Sequence, residues 1–178
     1  RENFGDLVFD TVVRKTINLL AQAYGEEPAR IVEGSERDQE LFAQIAEQSD
    51  LTAVMKTASK YTKLLKTVLI RPVWRNGRLD LDLLTPDILD VQVGDSPRDL
   101  LSVMVTHYAD SGRPEETTYS LWTAETWQRM DYRGTVLDSG PNPYKTLPFI
   151  PLWDRTPTDS FWLSGGDDLV SLQEAINL

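Results

Sequence analysis

The chain has 178 residues, of which 40% are hydrophobic and 26% charged, and its 18 basic and 28 acidic residues give a net charge of −10. This balance favours one folded domain and excludes a disordered chain. The absence of cysteine excludes disulfides and thiolate metal sites, and no apolar run approaches the roughly 18 residues that span a bilayer. Since no signal peptide is recognisable either, we expect a cytosolic or particle-associated protein.

Three amphipathic helices are predicted in the first third of the chain. The first ends near Gly25, and its apolar face consists of Phe9, Val12, Val13, Thr16, Ile17, Leu20 and Tyr24. Ser35 and Asp38 have the spacing of a capping box, and they introduce an acidic second helix with Leu41, Phe42 and Ile45 on its apolar face. Asp50 is the expected N-cap of a third helix, whose apolar positions follow the i, i+3, i+4, i+7 pattern from Leu51 to Leu65.

A change of period near residue 67 predicts strands. Asn76-Gly77 favours a hairpin with a type I′ turn, after which leucines alternate with Asp80 and Asp82. Residues 90–93, 100–108, 117–123 and 126–132 have strand-like patterns and indicate an antiparallel meander. A proline-rich passage follows, and Asp167 or Asp168 is expected to cap a last helix that breaks off at Leu178.

The order of these elements predicts an α+β fold with a single domain over residues 1–178. Its helical part covers residues 1–66, and its mainly β part covers residues 67–163. Residues 167–178 are the start of a truncated C-terminal helix. The break in that last helix indicates a piece of a larger structural protein.

None of the candidate chemical sites has a catalytic signature. His107 is the only histidine, and no strained GxSxG turn accompanies it. Asp80 and Asp82 point the same way from one strand, as a carboxylate pair or metal site requires, but their alternation indicates a solvated face. Residues 165–168 open a helix without a phosphate-binding motif, and two aspartates there would repel phosphate. We therefore expect no enzyme activity, no metal and no cofactor.

A basic face on the third helix is the main candidate for interaction. Lys56, Lys60 and Lys63, with Lys66 beyond them, belong to a stretch from Leu51 to Leu79 that has seven basic residues and no acidic one. These lysines can pair with the acidic second helix, dock on an acidic neighbouring subunit, or contact DNA through counterion release. The five tryptophans are not interleaved with basic residues, so we interpret them as core or interface anchors.

The last third of the chain resembles the portal proteins of tailed bacteriophages. The resemblance is carried by NPYKTLPFIPLW, a variable loop, and SGGDDLVSLQEAINL, which are similar to the family's Asn-Pro-Tyr segment, its Leu-Pro-Phe-Ile-Pro strand and the turn before its Ala-Ile-Asn helix. The resemblance extends upstream, where the order of elements is similar to the family's and includes the segments TPDILDVQV and TYSLWTAETWQ. Lys145 stands where many members of the family have glycine.

This resemblance implies a wing-region fragment of a portal subunit. Such subunits form a ring, dodecameric in the virion, at one capsid vertex, with a host-cytoplasmic stage during assembly. Double-stranded DNA passes through the ring, driven by the terminase motor, and capsid and head-tail adaptor proteins are the other implied partners. The family has no active site, so no functional residue is carried over. The alternatives are a non-catalytic adaptor or nucleic-acid-binding module that uses Lys56, Lys60 and Lys63, and a hydrolase that uses Asp80, Asp82 or His107.

Overall fold

A computed structural model of the protein describes residues 15–22 and 28–165. Residues 15–20 are helical, with Ile17 buried and Leu20 half exposed, so Leu20 does not share the buried side that its pattern predicted. Ala21 and Gln22 no longer have α-helical conformation, and the other residues of the predicted first helix lie outside the described residues, as do Asp167, Asp168 and the predicted last helix. Within the described part of the chain, no helix is both long and apolar enough to cross a membrane.

Helix α1, Glu36–Gln48, begins with the predicted capping box. The Asp38 backbone N–H donates to the Ser35 hydroxyl, while the Asp38 carboxylate accepts from the Ser35 backbone N–H at 2.9 Å. This reciprocal pair satisfies two of the donors that a helix start leaves free, so the capping prediction is confirmed. On the predicted apolar face Phe42 and Ile45 are partly buried, but Leu41 is exposed.

Helix α2, Leu51–Leu65, begins at the predicted residue, but it lacks the predicted side-chain cap. Asp50 occupies the N-cap position with φ 48°, and its side chain makes no capping hydrogen bond, so its predicted role is wrong. The two helices are separated only by Ser49 and Asp50, and this short connection requires a left-handed residue that turns the chain. Ala58 and Thr62 are the buried residues of α2, which ends at Lys66, also left-handed at φ 66°.

The predicted hairpin is present and has a two-residue turn. Strand β1, Thr67–Arg75, pairs with β2, Arg78–Leu84. Asn76 and Gly77 both have positive φ, at 50° and 78°, as a type I′ turn requires. A third strand that lies far away in sequence, Ile150–Trp153, pairs with the other edge of β1, so the sheet has the hairpin's first strand at its centre.

The second sheet is an antiparallel meander of five strands in sequential order. Its strands are β3 Leu89–Val93, β4 Leu100–His107, β5 Thr118–Thr123, β6 Thr126–Met130 and β7 Val136–Pro141. The sequence predicted the first four of these strands. The strand Ile150–Trp153 of the three-stranded sheet is β8. Strand β7 was missed, because it ends in Gly140-Pro141 and its side chains are mostly exposed, which leaves no alternating pattern to detect. The α+β class is confirmed.

The two sheets enclose the hydrophobic core. Its buried residues are Leu69, Leu84, Val103, Val105, Phe149 and Phe161. Leu69 comes from the centre of the first sheet and Val103 from the centre of the second, and both are fully buried. Val68 and Ile70 lie on the opposite face of β1 and are also buried, on the side where α2 packs. The fold therefore has three layers: helices, a three-stranded sheet, and a five-stranded sheet.

Candidate functional site

The predicted lysine face divides into two unlike halves. Lys63 and Lys66 both bind Asp154, with Nζ to carboxylate distances of 2.5 and 3.2 Å. Lys56 and Lys60 are exposed, and neither forms an ion pair with any residue in the ranges 15–22 and 28–165. Of the four predicted contact residues, only these two present a free charge on the described surface.

Asp154 follows strand β8 and joins the end of that strand to the end of α2. Its backbone N–H donates to the Lys66 carbonyl at 2.9 Å, so the end of α2 and the end of β8 are bonded through main chain and side chain. Burial alone would raise the pKa of Asp154, but the hydrogen bonds from Lys63 and Lys66 outweigh burial and lower the pKa. The intrachain partner of the lysines is therefore this aspartate and not the acidic helix α1.

Asp80 and Asp82 share one face of β2, as predicted, but the face is not simply solvated. Arg71 donates to the Asp82 carboxylate at 2.8 Å, and Arg75 binds the same carboxylate through two bonds of 2.6 and 2.7 Å. Arg78 bonds Asp80 at 3.0 Å. Burial opposes ionisation of Asp82, yet the two arginines lower its pKa. The solvated-face prediction is corrected here: the carboxylates are neutralised by Arg71 and Arg75 of the paired strand β1 and by Arg78 at the start of β2.

No metal-binding group emerges from these carboxylates. No cluster of three histidine, cysteine or acidic side chains with suitable geometry exists within the described residues. The oxygens of Asp82 already accept three charged hydrogen bonds, so a cation would have to displace arginines to bind there.

His107 has a partner that the sequence did not identify. Its Nε2 lies 2.7 Å from the Ser120 hydroxyl on the neighbouring strand. Burial lowers the pKa of His107, and the positive charges of Arg71 and Arg129 lower it further, so the imidazole is neutral at pH 7. A Ser-His-Asp triad also needs an acid on the other ring nitrogen, and the carboxylate of Asp82 is committed to two arginines. Only the register of β4 with β5, which is not a local signal, brings His107 and Ser120 together.

The tryptophans do not all behave as core anchors. Trp122, Trp153 and Trp162 pack against the core, and Trp127 stacks on Trp122 with ring centroids 6.1 Å apart. Trp74, by contrast, is 66% exposed beside the hairpin turn. The only signal in the sequence that distinguishes exposed Trp74 from the other four tryptophans is its position two residues before the Asn76-Gly77 turn.

An open aromatic groove lies at one end of the five-stranded sheet. Its volume is about 390 Å³, and it is lined by Tyr108, Tyr119, Tyr132, Pro114, Thr117 and the small residues between them. Arg133 lies over the Tyr132 ring at 5.0 Å and also donates to its hydroxyl. Like the tip of the hairpin, this groove exposes aromatic side chains at the surface.

The segment from Asn142 to Trp153 connects the two sheets. The Asn142 amide donates to the carbonyls of Thr123 and Thr146, at 2.8 Å each, and its side-chain oxygen accepts from the Tyr144 N–H at 3.0 Å. Lys145 has φ 54° in the turn that follows. The strand Ile150–Trp153 then joins β1, so this segment carries the chain out of one sheet and into the other.

Comparison with protein-family models and with curated proteins identified no relative of the chain. No protein-family model matches the chain, and no curated protein is detectably similar to it.

Proposed function

We propose that the chain is part of a portal subunit of a tailed bacteriophage. In this proposal it is a structural protein without catalytic activity or cofactor. It forms a ring at a capsid vertex, through which double-stranded DNA is packaged and ejected. Its partners are further copies of itself, the terminase motor, the capsid and the head-tail adaptor proteins.

The observation that carries the proposal is the role of the segment that resembles the family. NPYKTLPFIPLW is the connection between the two sheets, and its first residue, Asn142, is 4% exposed and holds three hydrogen bonds in place. A segment that fixes such a connection suits a structural role. The resemblance therefore lies in the part of the chain that determines how the sheets are joined.

The backbone at Lys145 gives a second argument. Its φ of 54° is in the left-handed region, which costs a residue with a side chain roughly 1–2 kcal/mol and costs glycine nothing. Glycine, which many portal proteins have at this position, fits that conformation best. Lys145 departs from the family's glycine, but its left-handed backbone is compatible with a glycine at this position.

The charge of the chain suits a ring through which DNA slides. A net charge of −10 keeps phosphate contacts few, because counterion release requires basic residues and the chain has fewer basic than acidic residues. Lys63 and Lys66 are paired within the chain, so the basic face available to DNA is smaller than the sequence suggests.

Electron microscopy of the full-length protein tests the proposal. We expect closed rings whose central hole is wide enough for duplex DNA. Monomers or two-fold dimers alone would contradict it. A complex of this chain with duplex DNA that weakens steeply with salt, and weakens further in Lys56→Glu and Lys60→Glu variants, would favour the adaptor or nucleic-acid-binding alternative instead.

A further inference from the structure

The tyrosine groove lies on the outer face of the five-stranded sheet. Ser120 is paired with Val105 of the core, so Tyr119, the residue before it, points to the face that turns away from the core. Tyr108 follows β4, and Tyr132 lies between β6 and β7, so the other two rings come from the loops at this end of the sheet. The groove is therefore a surface feature that is separate from the hydrophobic core.

Hydrogen bonds within the two loops fix the walls of the groove. In the β6–β7 loop the Asp131 carboxylate accepts from the backbone N–H groups of Arg133 and Thr135, at 2.8 Å each. In the β4–β5 loop the Ser111 hydroxyl donates to the Glu116 carboxylate at 2.7 Å. A groove whose walls are fixed before a ligand arrives binds that ligand at a lower entropic cost.

The two loops have an excess of negative charge. Their acidic side chains outnumber the basic ones: Asp110, Glu115, Glu116 and Asp131 against Arg113 and Arg133. Arg113 and Glu116 pair with each other. Asp110 and Glu115 are exposed, and neither forms an ion pair with any described residue. A ligand with a basic group therefore suits this groove, whereas a phosphorylated or otherwise anionic ligand would be repelled.

The shape of the groove restricts the kind of chain segment that can enter it. Strands β4, β5 and β6 are paired on both sides, so a ligand has no strand edge to extend there. The groove volume of about 390 Å³ is that of roughly one turn of an α-helix about 10 Å across, whereas a helical ligand uses anchors on two or more turns. A polyproline II segment is more slender, and its proline rings pack against aromatic side chains.

The tyrosine hydroxyls match the backbone of such a segment. A polyproline II helix has no internal hydrogen bonds, so its carbonyl groups are free to accept. The hydroxyls of Tyr108 and Tyr119 make no hydrogen bond within the described part of the chain, and each can donate one. Pro114 adds an apolar contact beside the rings.

We infer that the tyrosine groove binds a proline-rich, basic segment of a partner protein. Its prolines pack on Tyr108 and Tyr119, and its arginine or lysine pairs with Asp110 or Glu115. The inference goes beyond the proposed function and does not depend on it, because a ring can form with the groove empty and the groove can bind its ligand without a ring. Electron microscopy and peptide binding therefore fail or succeed separately.

Fluorescence anisotropy with a labelled peptide tests the class of ligand. The probe is a short polyproline peptide with an arginine at each end, and it is titrated with the 178-residue chain. We expect saturable binding that weakens with salt, and at least about tenfold weaker binding when alanines replace the prolines or glutamates replace the arginines. No saturation at millimolar protein, or equal affinity for either matched peptide, would overturn the inference.

Variants and NMR test the location of the site. Tyr108→Ala should weaken binding of the probe at least about tenfold, and Tyr108→Phe should weaken it less, because it keeps the ring and loses only the hydroxyl. Tyr144→Ala is the matched control, because Tyr144 is 48% exposed but does not line the groove. Backbone amide shifts on peptide addition should be largest in residues 108–117 and 131–133. Equal affinity of Tyr108→Ala and wild type, or shifts confined to another part of the chain, would refute the site.

Discussion

Removing the charge of Asp154 should destabilise the protein by a definite amount. Asp154→Asn keeps the backbone bond to Lys66 but loses both ion pairs, in which the carboxylate is 21% exposed. Partly exposed pairs of this kind contribute about 0.5–1 kcal/mol each, so the free energy of unfolding should fall by about 1–2 kcal/mol at pH 7. For a chain of this size, that loss lowers Tm by about 2–8 °C.

The pH dependence of this loss follows from the lowered pKa of Asp154. The carboxylate is ionised at a lower pH in the folded than in the unfolded chain, so its contribution is complete above the unfolded pKa. It disappears as the pH falls through the folded pKa. The gap between wild type and Asp154→Asn should therefore be constant from pH 5 to 8, begin to narrow near pH 4, where the unfolded carboxyl titrates, and close only below the folded pKa.

Urea denaturation followed by tryptophan fluorescence at several pH values measures this gap. Asp159→Asn is the control, because Asp159 is an exposed aspartate of the same loop that bonds Thr158 and no lysine. Equal stability of Asp154→Asn and wild type at pH 7, or a gap that stays unchanged at pH 3, would refute the electrostatic account.

Three further changes have expected outcomes. Lys145→Gly should raise the free energy of unfolding by about 0.5–1 kcal/mol, because it relieves a left-handed residue, whereas Lys145→Ala should leave it unchanged in the same urea titration. Asn142→Ala should lower that free energy by about 2–4 kcal/mol, since it leaves two carbonyls and one N–H without their partner, and Asn142→Asp should cost at least as much, because its second oxygen would face the same two carbonyls inside the fold; a loss below about 1 kcal/mol in Asn142→Ala would contradict this reading. His107 should titrate below pH 6.5 by NMR, and wild type should lose stability relative to His107→Gln as the pH falls from about 6.5 through the folded pKa; a normal or raised pKa would contradict the burial argument.

Local patterns predicted the elements of this fold, but they did not predict how those elements are combined. The capping box at Ser35 and the Asn76-Gly77 turn involve residues within four positions of each other, and the sequence alone locates both. The partition into two sheets depends on the pairing of β8 with β1, where Thr67 meets Trp153. No periodicity encodes a contact over that distance.

In the candidate site, too, local features were predictable from the sequence and long-range contacts were not. The exposed state of Lys56 and Lys60 follows from helix periodicity, whereas Lys63 finds its partner 91 residues further along the chain. The strand register, and no local pattern, places Trp74 and Tyr119 on the faces of their sheets that turn away from the core. Sequence reasoning identified residue types that suit an interface, and the topology determined which of them are available.

The position of β8 also sets an order of events during folding. Strand β1 is the centre of its sheet, but one of its two partners leaves the ribosome more than 70 residues later. Until then, β1 presents an unpaired edge next to some of the most apolar residues of the chain, including Leu69 and Ile70. Closing so long a loop is slow, so completion of this sheet should limit the folding rate, and nascent chains that stop before Ile150 should aggregate.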